Sequence, residues 1–140
     1  MSLNPLFSSH SVKRIFIRGA RNALMLLSPE AKKLGVITAS AGNHALALAW
    51  HGKDLGIPVT CVMPVVAPLT KVDKCRKIGA RIILHGQHIG EAKEYCYKEF
   101  PDLKYINGYD DPEIIAGAGS MGKLHSLFRK LATFSFDLLY

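Results

Sequence analysis

The segment Thr38-Ala39-Ser40-Ala41-Gly42-Asn43-His44-Ala45 gathers the groups best suited to holding a small anion. It lies between a short apolar run and a helical pattern. Gly42 permits a tight turn there, and the first N–H groups of the helix converge with the Ser40 hydroxyl and the Asn43 amide. A helix N-terminus favours a carboxylate or phosphate, because its first N–H groups have no partner within the helix and its dipole is positive at that end. The same residues fit ordinary capping, with Ser40 or Asn43 satisfying those N–H groups. Residue types alone leave both readings open.

The other reactive side chains point to less. Cys61, Cys75 and Cys96 form no C-x-x-C pair, so they outline neither a disulfide framework nor a zinc site. Each sits among apolar neighbours, as buried reduced thiols of a cytosolic-type compartment do. His85 and His88 follow a strand pattern with no carboxylate or thiolate partner expected close by, so no metal site is expected. Tyr95, Tyr97 and Phe100 read as core packing at helical spacing rather than as a stacking face.

Charge excludes a further class. The net charge of +7 is carried by the ends: residues 1–29 hold Lys13, Arg14, Arg18 and Arg21 with no acid, and residues 30–120 come to only +1. A nucleic-acid footprint would be a basic stripe on a folded surface, so no nucleic-acid partner is expected. No apolar run reaches membrane-spanning length, so no membrane partner is expected either. The acid-free, Ser- and Arg-containing start has the composition of a mitochondrial transit peptide or of a basic first helix, and the expected location is cytoplasmic with a mitochondrial alternative.

Strand and helix patterns alternate behind the loop. Strands are predicted at Val36–Ala39, Pro58–Met63, Arg81–Leu84 and Tyr105–Ile106. Helices are predicted at Asn43–Leu55, from Pro68 to Gly79, at about Ile89–Phe100, and from Pro112 to about Met121. Such alternation means βαβ units: an α/β domain with an open, four-stranded parallel sheet and helices on both faces. Ligands bind such sheets beyond the carboxyl ends of the strands. Four loops lie there: Ser40–His44, Pro64–Pro68, His85–Gln87 and Asn107–Pro112. Residues 1–15 and 122–140 fall outside the rhythm and read as a divergent basic segment and a divergent tail flanking a domain over 16–121. Gly122–Lys130 of the tail has the pattern of a basic amphipathic helix.

Ser40-Ala41-Gly42-Asn43-His44 resembles the substrate-binding loop of fold-type II pyridoxal-phosphate enzymes, in particular the serine/threonine dehydratase and serine racemase group. The resemblance runs from about Arg18 to Ser120. Ile17-Arg18-Gly19-Ala20 looks like that family's conserved helix start. Gly56-Ile57-Pro58, Val62-Met63-Pro64, Lys71-Val72, Gly79-Ala80, Leu84-His85-Gly86, Asp110-Asp111-Pro112 and Ile115-Ala116-Gly117 follow in the family's order. Many motifs in register are far more specific than the five-residue loop. The resemblance implies the small-domain fold of tryptophan-synthase-β-like enzymes, pyridoxal phosphate as cofactor, and L-serine or L-threonine as amino-acid substrate. It implies a reaction releasing a 2-keto acid and ammonia. The substrate carboxylate would fall to Ser40, Gly42, Asn43 and His44, and the cofactor's ring hydroxyl to Asn43. Racemases of the group carry an acid/base serine where this chain has Ala41, and alanine moves no proton, which favours dehydratase ancestry.

The same resemblance exposes a loss. In the family a lysine, two residues before the arginine of Arg-Gly-Ala, anchors the cofactor and removes the substrate's α-proton. Phe16 stands there, and Lys13 is out of register. Covalent binding of the cofactor is therefore not expected, and the chain is expected to be inactive. The family's phosphate-cradling glycine loop is expected beyond residue 140, and Gly119-Ser120 departs from the usual Gly-Thr. The pattern resembles a segment of a longer enzyme with foreign sequence at both ends. It is open to two further readings: a module that associates with and modulates a full-length relative, or a non-functional truncated product. A sheet that normally packs on a larger domain should leave apolar surface exposed.

Overall fold

A computed structural model describes residues 11–120, 122 and 126, with side chains described from Ile17 onward. Four strands, β1 (Val36–Ala39), β2 (Val59–Met63), β3 (Arg81–Leu84) and β4 (Lys104–Tyr105), form one sheet in the order β3-β2-β1-β4. All neighbours are parallel, with Val36 opposite both Val59 and Lys104. The helices are α1 (Ser11–Met25), α2 (Pro29–Leu34), α3 (Asn43–Leu55), α4 (Leu69–Ile78), α5 (Ile89–Glu99) and α6 (residues 112–120).

The central strands are buried along their whole length, which is why their sequences are nearly unbroken apolar runs. The two-residue period of a strand then divides the core in two. Val36, Val59, Cys61 and Met63 pack with Ala20 and Leu24 of α1, Ala45 and Leu48 of α3, and Val72 and Cys75 of α4. Ile37, Ala39 and Val62 face the other way, onto Ala92 and Cys96 of α5. Helices thus cover both faces, as the alternating pattern requires. All three cysteines are free and buried.

The helix ends follow local chemistry. Gly56 and Gly79 close α3 and α4 at φ 68° and 108°, a left-handed conformation that costs glycine little. Crossing of α1 and α6 requires two glycines: a Cβ on Gly19 would meet the Ile114 carbonyl oxygen at 2.7 Å, and one on Gly117 the Arg18 oxygen at 2.7 Å. Beside that crossing, the Arg18 guanidinium donates to Ser120 Oγ at 2.5 Å. On its other side α1 is tied to α3, where Arg21 pairs with Asp54 at 2.7 Å and donates to His51 Nδ1 at 3.3 Å.

Several expectations shift. Ile17-Arg18-Gly19-Ala20 lies inside α1, which begins at Ser11, rather than at a helix start. The fourth strand sits one residue earlier than predicted, and Ile106 leaves the ladder with its N–H bonded to the Ile37 carbonyl at 2.9 Å. His88 does have a carboxylate neighbour: Nε2 lies 3.3 Å from Glu91, and Nδ1 accepts the Glu91 N–H to cap α5. His85 stacks on Tyr95 at 4.0 Å. Tyr95 and Phe100 pack on the core, whereas Tyr97 is exposed and lies against Tyr105. Apart from Gly122 and Ser126, the expectations for the tail lie outside the described residues, as do the side chains of Lys13 and Phe16.

Candidate functional site

The parallel order puts the loops after β1 and β4 side by side, because those strands are neighbours. The first is Ser40–His44. The Ser40 N–H extends the ladder by donating to the Val62 carbonyl at 3.1 Å, and Ser40 Oγ accepts the Gly42 N–H at 3.3 Å. Gly42 is the N-cap of α3, in an extended conformation, and no side chain makes the capping hydrogen bond. No side chain bonds the N–H groups of the first turn of α3, and Ser40 instead takes the N–H of Gly42 itself. A Cβ built on Gly42 would have no atom within 4 Å, so the loop is open at that point. Ser40, Ala41, Gly42 and Asn43 are all half-buried around it.

His44 behaves differently from its neighbours. It is only 5% exposed, and its ring turns inward, with Nε2 at 3.2 Å from the Ile106 carbonyl oxygen. A carbonyl only accepts, so this contact requires the proton on Nε2. Burial pushes the His44 pKa down, opposed by that hydrogen bond and by the charge of Asp111. Thr38 Oγ1 donates to the same carbonyl at 2.9 Å.

The loop after β4 is braced by its own side chains. Asn107 accepts the Tyr109 N–H at 3.0 Å and bonds Asp110, while Asp111 Oδ1 caps α6 by accepting the Glu113 N–H at 2.9 Å. Tyr109 projects from it, 83% exposed. Thr38, Ile106 and Gly108 were not singled out from sequence for this role. The available signal was Thr38, a hydroxyl in an otherwise apolar buried strand, which must find a partner.

A cavity of about 560 Å³, lined by Ile37, Cys96, Phe100 and Lys104 among others, opens near the amino ends of the strands, away from this loop. Among the described residues no group of three His, Cys, Asp or Glu could hold a metal ion, and no helix is long and apolar enough to cross a membrane.

An open parallel α/β sheet with helices on both faces, and a helix starting just beyond a central strand, is the architecture of a doubly wound α/β domain. The chain belongs to the pyridoxal-phosphate dependent enzyme family, whose sequence model matches residues 2–124. It is 44% identical over 108 residues to the L-threonine ammonia-lyase of Thermotoga maritima, covering 76% of this chain and 27% of that protein. Its fold matches the processed threonine deaminase isoform 2 of Solanum lycopersicum with a TM-score of 0.73 at 40% identity, covering 78% of this chain and 31% of that one. Serine racemase of Dictyostelium discoideum follows with a TM-score of 0.70 at 30% identity, covering 76% and 35%. The chain thus spans roughly a third or less of these relatives.

Pyridoxal phosphate is the cofactor of this family, and the residues present fit only part of what such a site requires. The N-terminus of α3 has donors for a carboxylate, and the loop is open at Gly42. The position two residues before Arg18 offers no amine, because Phe16 stands there.

Proposed function

We propose that this chain is a partial serine/threonine dehydratase-like protein that binds the carboxylate of L-serine or L-threonine at Ser40–His44 and does not itself deaminate them. The observation that carries this reading is the Gly42-capped start of α3, with no side-chain acceptor and a loop open at Gly42. In this reading Ser40 and Asn43 add side-chain donors, and His44 contributes through its backbone N–H. Ala41 leaves the far face without an acid/base group. Asn43 is the residue we assign to the ring hydroxyl of pyridoxal phosphate. Catalysis stops at Phe16, which has no amine to hold the cofactor or take the α-proton. Residues 16–121 form the dehydratase-like unit, flanked by divergent segments at 1–15 and 122–140, in a compartment that keeps thiols reduced (cytoplasmic, with mitochondrial as the alternative).

A second reading, association with a full-length relative, is favoured by the exposure of Val65, Val66 and Leu69 beside the candidate site and of Met25, Leu26 and Leu34 elsewhere.

The test incubates the purified chain with pyridoxal phosphate, reduces with borohydride, and seeks a phosphopyridoxyl-lysine by mass spectrometry. Keto-acid release from L-serine and L-threonine is followed in parallel, and amide spectra are recorded during titration with L-threonine. The expected result is amide shifts over residues 41–45, no adduct and no keto acid. An adduct with turnover would show the chain to be an active enzyme and overturn the proposed loss of catalysis. Unmoved amides would overturn the carboxylate site.

A further inference from the structure

We propose that Gly108 and His44 form an interlock that sets the angle of the Ser40–Asn43 cradle, making both of them positioning residues for carboxylate binding. The inference rests on the carboxylate reading above and adds residues from the neighbouring loop. Three contacts converge. The His44 ring donates to the Ile106 carbonyl at 3.2 Å, and Thr38 donates to the same oxygen at 2.9 Å. The chain then passes over the imidazole so closely that a Cβ on Gly108 would lie 2.7 Å from His44 Cγ, 2.9 Å from Cδ2 and 3.1 Å from Cβ.

Those atoms belong to the ring and its root, not to the far end of a flexible chain. The ring is fixed at Nε2 and buried, so it cannot swing aside without breaking its hydrogen bond. Any side chain at 108 must therefore move either the loop or the first turn of α3. The first turn is where the cradle's N–H groups are. Its aim depends on His44 because no side chain caps α3. The loop is less free to yield, since Asn107 and Asp111 brace it on either side of Gly108.

The test compares full-length wild type, Gly108→Ala, His44→Ala and the double variant, using L-threonine as probe and amide spectra as readout. Gly108→Ala is expected to shift the amides of residues 42–45 and weaken L-threonine binding about tenfold. In the double variant the ring is gone and only the 3.1 Å approach to the Cβ at 44 remains, so the added methyl should cost much less than in wild type and affinity should lie close to that of His44→Ala alone. His44→Gln, whose amide can still donate to Ile106, should recover affinity lost in His44→Ala. That comparison decides the matter even if Gly108→Ala does not fold. Equal affinity in wild type and Gly108→Ala, additive losses in the double variant, or equal affinity in His44→Ala and His44→Gln would each overturn the interlock. If wild type does not respond to L-threonine at all, the carboxylate reading fails. The amide shifts in Gly108→Ala and their return to the His44→Ala pattern in the double variant then still decide the interlock.

Discussion

Gly52→Ala puts a methyl group where the structure has none to spare. Gly52 lies in the last turn of α3, and a Cβ there would sit 2.2 Å from Val59 Cγ2 and 2.8 Å from the Ile57 carbonyl oxygen. Carbon atoms in contact prefer about 3.5–4.0 Å, so the surfaces must part by more than about 1.3 Å. Neither side yields easily. Val59 is β-branched and nearly buried in β2, and the Ile57 N–H is bonded to the Gly52 carbonyl at 2.8 Å. Overpacking of this kind costs about 1–3 kcal/mol. Replacing a helical glycine by alanine returns roughly 0.5–1 kcal/mol through lost unfolded-state freedom. A clash as close as 2.2 Å takes the upper part of that range, about 2–3 kcal/mol, so a net destabilisation of about 1–2.5 kcal/mol remains, which at a urea slope of about 2 kcal/mol/M lowers the midpoint by roughly 0.5–1.2 M. Equilibrium urea unfolding followed by circular dichroism measures it. Adding Val59→Ala should give a smaller total loss than the two single losses summed, because it removes the atom that clashes. A midpoint unchanged or raised in Gly52→Ala would refute the packing argument. So would strict additivity in the double variant.

Gly42→Ala should behave in the opposite way: the added Cβ meets nothing, so stability should fall by no more than about 1 kcal/mol from the poorer N-cap. L-threonine binding should weaken at least about tenfold if the methyl intrudes on a carboxylate held by the Ser40–His44 loop; unchanged affinity by titration would count against the site. Acid should destabilise the protein through His51, whose pKa is pushed down by burial and by the Arg21 charge, against the opposing pull of Asp54 and the Ile17 carbonyl. The unfolded chain then binds more protons below about pH 6.5, so stability is greatest above that value and is lost as pH falls toward the depressed folded pKa. His44 acts in the same direction, while Asp54, whose pKa is lowered first by its Arg21 hydrogen bond, acts only at lower pH. His51→Gln should flatten the loss of melting temperature between pH 7 and pH 5, and an identical slope would refute the assignment. Thr38→Val removes the buried 2.9 Å hydrogen bond to Ile106 and should cost about 1 kcal/mol, with Thr38→Ser losing less, as thermal unfolding would report.

By itself the sequence made several strands and helices legible from local signals, though not α2 or the exact start of α1. Val36–Ala39, Arg81–Leu84 and Asn43–Leu55 begin and end where apolar period and glycine stops place them, because those signals act within a few residues. It also made the Ser40–His44 loop legible, since a short motif between strand and helix can be read without knowing what lies opposite. Only the tertiary structure decided that β4 lies beside β1 rather than beyond β3. That choice depends on how crossovers pack, and no local pattern encodes it. The same choice brings Ile106 and Gly108 against His44, residues more than sixty positions away in sequence. It also buried the His44 ring against the Ile106 carbonyl, where a reading of the loop alone has no means to place it. Long-range contacts of this kind leave only a faint trace in sequence, here a lone hydroxyl in a buried strand.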